Sequence, residues 1–381
     1  MTLDPPAAAP PALVGDDPAP TPPHRADSPS PAPSRYVVLP ADAHRDAESI
    51  GRLWQRNLPE APAERYDWLY RSGAAEGWLL YGPDGAVVGS TGLMRRRLKL
   101  FGELRPAGQA VDLNVDRGHR FATPALKLQR AVTATVADGR VDAIYGFANR
   151  QSVALLRRAG YRPLGELQRW VKPLRIGPVL RSRHGKGFAW NLAARLAVHL
   201  LGLASPETYR YRSRPGRVQV LDQFDERFDA LWAAGSRRLR VVGERSADYL
   251  RWRFARAPGA PYEVLGLGDA GGRLEAYGVY RRHEGYLYLS DFFGVGPEAL
   301  GRLLAELLRR ARREGAEAVA TFWLGSARMA DILRRFGFRR RPSGLSTLVC
   351  ADPRRLRIDR AELLDPENWY LTAADLDVDA F

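Results

Sequence analysis

The segment Leu156-Arg157-Arg158-Ala159-Gly160-Tyr161-Arg162 returns later in the chain as Leu333-Arg334-Arg335-Phe336-Gly337-Phe338-Arg339. In both places it closes the same predicted order of an acidic strand, a helix, a second strand and a second helix. Asp112 lies 48 residues before the glycine of the first copy (160 − 112), and Asp291 lies 46 before that of the second (337 − 291). A repeat of this length is a whole domain rather than a solenoid unit, so the sequence predicts a duplication.

A second matched pair of elements precedes the two blocks. Helices rich in tyrosine and tryptophan are predicted at 65–70 and 248–254, and each leads into a strand, a turn with glycine and a further strand. An antiparallel meander that passes into alternating strands and helices is typical of an α+β fold. The sequence therefore predicts two α+β domains, each a mixed, mostly antiparallel sheet flanked by helices.

Composition limits the classes of partner and site. The 381 residues are 45% hydrophobic and 10% aromatic, which is enough for two cores, and 58 basic against 43 acidic residues give a net charge of +15. Such a charge favours phosphorylated cofactors, nucleic acid or acidic membrane surfaces, unless it is only a diffuse solvated charge. The single Cys350 excludes an internal disulfide, and the six histidines lack metal-ligand spacing, so no metal is expected. No secretory signal pattern is present, which makes a cytoplasmic location the expectation.

The chain divides by composition into five segments. The first is rich in proline and alanine and is predicted to be disordered. The segments are the N-terminus 1–34, a domain 35–172, a basic and apolar linker 173–215, a second domain 216–352 and a C-terminal tail 353–381. In the linker, the apolar stretch 188–203 predicts either a helix buried between the domains or an in-plane membrane helix, so peripheral membrane contact stays open. The acidic end of the tail (Asp375, Asp377, Asp379) either docks on an arginine-rich face or is solvated.

In the first domain, the predicted elements follow hydrophobic periodicity and turn residues. They are a strand 36–39, a helix 43–56, strands 78–81, 86–91, 92–100 and 107–115, a helix 124–136, a strand 141–147 and a helix 152–158.

The turn after the strand 107–115 has features of an anion site. It contains Arg117, His119 and Arg120 and leads directly into the helix that begins near Pro124. Free N–H groups and the dipole at a helix start attract anions, and a nearby cation strengthens the effect. An ordinary helix entry is the alternative, because arginines are frequent throughout the chain.

The order of strand, Arg120-to-Ala125 loop, helix and Asn149, eleven residues before Gly160 (160 − 149), resembles the GNAT superfamily of N-acyltransferases. The resemblance covers about 36–172 and, more weakly, about 217–350. It implies acyl-CoA as co-substrate, with acetyl-CoA expected, and an amine-bearing acceptor. It also implies which residues bind the cofactor. Those residues are Val115, Arg120, Phe121, Ala122, Thr123 and Ala125, which belong to the strand end and the pyrophosphate loop, and Asn149, which contacts the pantetheine arm.

The sequence departs from the pattern of that superfamily in two respects. Thr123 stands where the pyrophosphate loop usually has glycine. The tyrosine that often protonates the leaving thiolate would fall four residues before Gly160, where this chain has Leu156; Leu333 is its counterpart in the second copy. Because a free thiol has a pKa around 8.5, thiolate is a good leaving group and transfer does not require that acid.

Asp112 is the candidate catalytic base, since it lies on the strand that leads to the cofactor loop. A structural acid paired with an arginine is the alternative interpretation, and Asp291 is its counterpart in the second half. After Asp291, the sequence Phe292-Phe293-Gly294-Val295-Gly296-Pro297 carries no cation. The second domain is therefore expected to have lost or weakened cofactor binding and to shape the acceptor cleft.

Three functions remain open at this point. The first is an acyl-CoA-dependent N-acyltransferase, an acetyltransferase by expectation, in which the amine attacks the thioester directly. The second is a Fem-like aminoacyl transferase, and the third is a non-catalytic module that binds nucleic acid or an anionic membrane. The CoA-type loop argues against nucleic acid as the partner. The identity of the acceptor and the oligomeric state cannot be derived from the sequence.

Overall fold

The computed structural model describes residues 36–59, 61–62, 64–175, 205–209, 217–259 and 261–377. The predicted disordered N-terminus 1–34 and the predicted helix 188–203 lie outside these ranges. Residues 36–377 belong to one compact unit. None of the described helices is both long enough and apolar enough to cross a membrane.

The first half follows the predicted order of elements closely. The strands are β1 (Val37–Ala41), β2 (Ala75–Tyr81), β3 (Val87–Leu100), β4 (Glu103–Val115), β5 (Ala143–Ala148), β6 (Arg162–Glu166) and β7 (Gln168–Pro173). The helices are α1 (Ala47–Asn57), α2 (Ala122–Ala137) and α3 (Val153–Arg158), with a π-helical turn at Asp67–Arg71 and a 3₁₀ turn at Arg117–His119.

One prediction in this half was wrong: 86–91 and 92–100 form the single strand β3. Gly92 does not break the strand. It lies where a Cβ atom would come within 2.1 Å of the Tyr70 hydroxyl oxygen, so glycine is required there to let that side chain pass. A glycine inside a strand can mark a close approach rather than an end.

The second half repeats this order after α4 (Pro206–Tyr209). Its strands are β8 (Arg217–Leu221), β9 (Val241–Gly243), β10 (Glu263–Gly268), β11 (Leu274–His283), β12 (Tyr286–Gly294), β13 (Ala318–Gly325), β14 (Arg339–Arg341), β15 (Ser346–Ala351) and β16 (Trp369–Leu371). Its helices are α5 (Glu226–Gly235), α6 (Ala247–Leu250), α7 (Pro297–Arg313), α8 (Ala327–Arg335), α9 (Pro353–Leu356) and α10 (Arg360–Leu363). A π-helical turn at Arg251–Ala255 matches the turn 67–71, and 3₁₀ turns lie at Ser236–Arg238, Pro366–Asn368 and Ala373–Asp375.

The two halves have the same strand order, and each is completed by a strand of the other. The first half pairs in the order β1-β2-β3-β4-β5-β15-β6, and the second in the order β8-β10-β11-β12-β13-β7-β14. Strand β7 pairs antiparallel with β13, whereas β15 pairs antiparallel with β5. This exchange joins the halves into one continuous sheet of mixed strand directions. The predicted α+β class with two similar mixed sheets is confirmed.

In both halves, the central parallel pair of strands separates at one end. Strands β4 and β5 pair at three positions and part beyond Gln109 and Tyr145. Strands β12 and β13 pair at four positions and part beyond Leu289 and Thr321. Each half therefore contains a V-shaped gap in its sheet, close to the loop that leads into α2 or α7.

The core of the second half forms around α7. Leucines at helical spacing cover its inner face, and arginines lie on the outer face. Buried residues of this helix pack against the strands β10–β13; they include Leu303, Leu304, Leu307 and Leu308. In the first half, Leu128 and Val132 of α2 are buried in the same way.

Candidate functional site

The predicted anion loop opens directly into α2. Phe121 is the N-cap residue, has extended backbone angles, and provides no side-chain hydrogen bond to the helix. The first-turn N–H groups of a helix lack intrahelical acceptors, and Ala122 and Thr123 occupy this turn. Phe121, Ala122 and Thr123 are exposed, while Ala125 is half-buried. The predicted pyrophosphate loop is thus an uncapped and accessible helix start.

A network of polar contacts fixes the shape of this loop. The Arg120 Nε donates to the Val115 carbonyl oxygen at 2.8 Å, and its Nη2 donates to Asn57 Oδ1 at 2.7 Å. Asp116 accepts hydrogen bonds from Arg56 (2.7 Å) and from Asn57 (2.7 Å), and the Arg56 guanidinium lowers the pKa of the Asp116 carboxyl. Arg120 therefore supports the loop from the side, in addition to placing positive charge beside it.

Two other predicted loop residues have local structural partners. The Nδ1 of His119 lies 2.7 Å from the Tyr36 hydroxyl oxygen. Asn149 follows β5, and its Oδ1 accepts from the backbone N–H groups of Gln151 (3.1 Å) and Ser152 (3.0 Å). The Asn149 side chain also lines the cleft described below, so its amide lies where the resemblance expects a contact with the cofactor arm.

Asp112 lies at the gap between β4 and β5, in a β-bulge of β4 with a positive φ of 53°. Its carboxylate accepts hydrogen bonds from Arg65 Nη2 at 2.8 Å and from the Tyr70 hydroxyl at 2.8 Å. Both donors are buried, and burial raises the pKa of Tyr70 well above its usual value. In this structure, Asp112 is therefore an acid paired with an arginine, which is the alternative to a catalytic base.

A second carboxylate lies on the same arginine. Arg65 Nη2 donates to Asp377 Oδ2 at 2.9 Å, and Arg65 Nη1 donates to the Asp377 carbonyl oxygen at 2.6 Å. The Asp377 side chain keeps 21% of its surface exposed, compared with 6% for Asp112. Burial raises the pKa of the Asp377 carboxyl above its ordinary value, although Arg65 opposes this effect. Of the two outcomes left open for the acidic tail, docking is the one found for Asp375 and Asp377; Asp379 lies outside the described residues.

A cleft of about 780 Å³ connects these groups. Its floor includes Asp112, Arg65 and Asp377, and one wall includes Leu113 and Phe147 on the two sides of the gap. Residues of the second half, among them Arg253, Tyr262 and Arg281, line the other side. The structure therefore places the gap, the carboxylates and the surface between the halves in one continuous space.

The second half contains a matching cluster, but it is fully buried. Arg245 Nη2 donates to Asp375 Oδ2 at 2.7 Å, and Arg245 Nε donates to Asp291 Oδ2 at 3.2 Å. The Tyr277 hydroxyl donates to Asp291 at 2.7 Å, as Tyr70 does to Asp112. Asp375 also contacts Arg96, and together the two arginines lower its pKa although burial alone would raise it.

The gap of the second half is filled by the chain itself. Strand β16 pairs with β13 at Leu324 and Gly325, so it lies inside the V where β13 leaves β12. From β16, the Tyr370 hydroxyl donates to the Phe292 carbonyl of β12. Trp369 and Leu371 are buried on either side of this tyrosine. No comparable segment among the described residues enters the gap of the first half.

Sequence reasoning missed Arg65, Tyr70 and Asp377. The signal for the first two was their place in the predicted aromatic helix 65–70, which leads into the strands of the first block. The absence of the usual tyrosine was predicted, and Leu156 is buried in the core. Among the described residues, no group of His, Cys, Asp and Glu side chains is arranged to hold a metal ion.

Comparisons with known proteins agree with this geometry. No family profile matches the chain, and no curated protein matches its sequence. Among solved structures, a probable N-acyltransferase from Enterococcus faecalis superposes with a TM-score of 0.61 at 12% identity, covering 83% of this chain and 72% of that one. A GCN5-related N-acetyltransferase from Anabaena variabilis gives a TM-score of 0.59 at 10% identity, with the same coverage of 83% and 72%.

A third similar structure is an N-myristoyltransferase from Saccharomyces cerevisiae with bound myristoyl-CoA. It gives a TM-score of 0.52 at 13% identity, covering 86% of this chain and 81% of that chain. Identities this low compare folds only, but the superpositions extend over both halves of the chain. The fold of this protein is that of the GCN5-related N-acetyltransferases and the N-myristoyltransferases.

Proposed function

We propose that this protein is an acyl-CoA-dependent N-acyltransferase that binds its cofactor in the first half, 35–172. One observation carries the proposal: β4 and β5 part beyond Gln109 and Tyr145, and their gap opens into the cleft of about 780 Å³ beside Asp112. Strand edges in such a gap have unpaired backbone groups, which an extended amide-containing arm can satisfy. The second half, 216–352, then forms the acceptor side of the cleft.

The cofactor contacts follow from the loop geometry. The amides of Ala122, Thr123 and Ala125 and the N-terminal end of α2 would hold the pyrophosphate, with Phe121 at the N-cap and Arg120 contributing positive charge. Val115 and Asn149 lie on opposite sides of the gap, where a pantetheine arm would pass. The Thr123 side chain is exposed, so the helix end is accessible to a phosphate.

A short acyl group, such as acetyl, fits the floor of the cleft best. The charged cluster of Arg65, Asp112 and Asp377 lines this cleft. A long alkyl chain packed against these groups would remove water from charged side chains, which is costly. We therefore propose acetyl-CoA as the donor.

In the proposed reaction, the nitrogen of a neutral amine attacks the thioester carbonyl carbon, the C–S bond breaks, and the CoA thiolate leaves. The amine loses one proton to a carboxylate, directly or through water, and the thiolate takes a proton from solvent. Asp377 is the better placed acceptor, since Asp112 already accepts from both Arg65 and Tyr70. Asp112 then serves to position Arg65 and, through it, Asp377.

Calorimetric titration with acetyl-CoA tests the proposal, together with a Gly146→Leu variant. A Cβ atom on Gly146 would lie 3.5 Å from the Ala110 Cβ and 3.8 Å from the buried Leu156 side chain, near the apex of the gap, so a leucine would crowd this place. We expect the wild type to bind and the leucine variant to lose at least tenfold in affinity. Gly146→Ala is the matched control and should bind normally.

Thermal unfolding of both variants checks that the fold is retained. Normal acetyl-CoA affinity in a folded Gly146→Leu protein would overturn the assignment of the gap. An absence of acetyl-CoA binding in the wild type, together with salt-sensitive binding to DNA or anionic vesicles, would favour the non-catalytic alternative.

A further inference from the structure

A second cavity, of about 730 Å³, lies at the beginning of α7. Four arginines and two glutamates, Glu275 and Glu298, line it, and the arginines come from the 3₁₀ turn 236–238, from α7 and from α8. These arginines are Arg238, Arg302, Arg328 and Arg335. The loop sequence after Asp291 carries no cation, so the sequence predicted that cofactor binding here is lost or weakened. In the folded protein, arginines from other elements supply the positive charge.

Most of this positive charge is not neutralised by the protein. Arg302 forms an ion pair with Glu275 at 2.7 Å. The side chains of Arg238, Arg328 and Arg335 form no hydrogen bond or ion pair with any residue of the described ranges. The cavity therefore gathers unpaired guanidinium groups that an external anion would neutralise.

The backbone at this place is also open to an anion. Gly296 is the N-cap of α7, no side chain caps the helix, and Pro297 occupies its first turn. A Cβ atom on Gly296 would lie 3.6 Å from Arg238 Nη1, which places that guanidinium directly over the loop. Backbone N–H groups and arginine forks thus face the same space, as they do where proteins bind phosphate.

An adjoining cavity of about 310 Å³ shares Arg238, Gly296 and Arg328 with the first. It leads toward Met329 and Trp369, and its walls are more apolar than charged. It ends at β16, whose Tyr370 closes the gap between β12 and β13. A ligand with an anionic end and a compact apolar or aromatic group would fill both cavities. An extended arm such as pantetheine could not pass between β12 and β13, because β16 closes that gap.

We propose that this cavity is a second ligand site, which binds a small diphosphate ester that carries an aromatic or apolar group, such as a nucleoside diphosphate. Three unpaired arginines match the charge and the several oxygens of a diphosphate better than those of a single carboxylate. A concave volume of about 730 Å³ suits a small molecule better than a polyanionic chain. This site is distinct from the proposed acyl-CoA site, and the inference does not depend on that function.

The test uses the full chain and two probes, inorganic diphosphate and ADP, each followed by calorimetry at constant ionic strength. The double variant Arg238→Gln/Arg328→Gln removes two charges from the cavity. Its matched control is Arg130→Gln/Arg354→Gln, which removes two exposed arginines that line neither cavity. We expect the cavity variant to lose at least tenfold in affinity for both probes and the control to lose less than twofold.

If the adjoining cavity holds the nucleoside, ADP should bind more tightly than inorganic diphosphate. Equal affinities for the two probes would mean that the site binds the diphosphate group alone. A loss of equal size in the control would show general electrostatic attraction and overturn the site. No binding of either probe at millimolar concentration would overturn it as well. A Thr123→Glu variant separates the two proposals, because it alters only the α2 loop and should leave unchanged the part of the probe binding that Arg238→Gln/Arg328→Gln removes.

Discussion

The two halves share one carboxylate–arginine–carboxylate arrangement and differ in what occupies the gap beside it. In the first half, Asp112, Arg65 and Asp377 border a cleft of about 780 Å³. In the second, Asp291, Arg245 and Asp375 are fully buried beneath β16. The C-terminal segment supplies one aspartate to each cluster, two residues apart. The two similar halves thus contain one open cluster that borders a cleft and one closed cluster that is buried in the fold.

The two clusters contain the same types of side chain and differ in their access to solvent. A buried ion pair contributes to stability mainly because removing one partner leaves the other charged and without compensation. The same arrangement at a cleft edge keeps a carboxylate accessible, and burial of its surroundings raises its pKa. Each of the following predictions tests one side of this comparison, in order of decreasing effect.

Arg245→Gln should have the largest effect, on stability. It leaves Asp291 and Asp375 buried without their cation, and removal of one partner from a buried pair costs about 3–5 kcal/mol. Chemical denaturation measures the loss. Arg65→Gln is the matched variant in the open cluster and should lose clearly less, because water can reach Asp377. Equal losses in the two variants would contradict the distinction between an open and a closed cluster.

Asp377→Asn should lower turnover by about 10²-fold or more, because positioned general bases contribute 10²–10⁴-fold to rates. Acetyl-CoA affinity should not change, since Asp377 lies away from the α2 loop. The measurement is the steady-state release of free CoA thiol in the presence of an amine acceptor. In the second half, the matched variant Asp375→Asn should instead lower stability. Loss of turnover in a fully stable Asp375→Asn protein would argue against Asp377 as the base and Asp375 as a structural residue.

The pH dependence follows from the same residue. Burial raises the pKa of Asp377, and a base must be deprotonated to act, so kcat/KM should rise with pH through a value above the ordinary aspartate pKa of about 3.9. Asp375 has a lowered pKa, so its contribution to stability is present above about 3.9 and is lost as the pH falls through the folded-state pKa. An activity profile of Asp377→Asn that keeps the same acidic limb would assign that limb to another group.

Thr123→Glu should weaken acetyl-CoA binding about tenfold, which corresponds to about 1.4 kcal/mol. The added negative charge would lie at the proposed pyrophosphate position, whereas an acidic residue in the first turn of a helix stabilises the helix itself. Weaker binding therefore cannot be attributed to unfolding. Glutamine has nearly the same size as glutamate but no charge, so Thr123→Gln should bind acetyl-CoA almost normally. Comparable losses of affinity in both variants would indicate a steric effect.

Much of the architecture was predictable because it depends on local patterns. Helical spacing of apolar residues predicted α2 to within about two residues, and the repeated glycine after α3 and α8 predicted the repeated order of elements. Asp112 and Asp291 were recognised as counterparts from their similar distances to these glycines, 48 and 46 residues. Local patterns suffice for such features because each depends on residues that are close in sequence.

The exchange of β7 and β15 and the insertion of β16 were not predictable in this way. Strand β16 has three residues, too few for a period to be detected, and its partners lie more than 40 residues away in the chain. The sequence left open whether Asp375 and Asp377 dock or are solvated, because their arginine partners are more than 100 residues distant. The cations around α7 were missed for the same reason: folding, rather than the sequence of the loop, brings them there.

The smallest predicted effect concerns the stacked pair Trp68 and Trp252, which belong to the matched π-helical turns of the two halves. Their ring centroids are 4.6 Å apart with an interplanar angle of 13°, and Trp68 Nε1 donates to the Trp252 carbonyl at 3.2 Å. Trp68→Leu and Trp252→Leu should each lose about 1 kcal/mol of stability, which is typical of an aromatic pair. Only Trp68 lines the cleft, so only its variant should raise the KM for the amine acceptor, by a few-fold. Equal KM values in the two variants would mean that the acceptor does not reach this wall of the cleft.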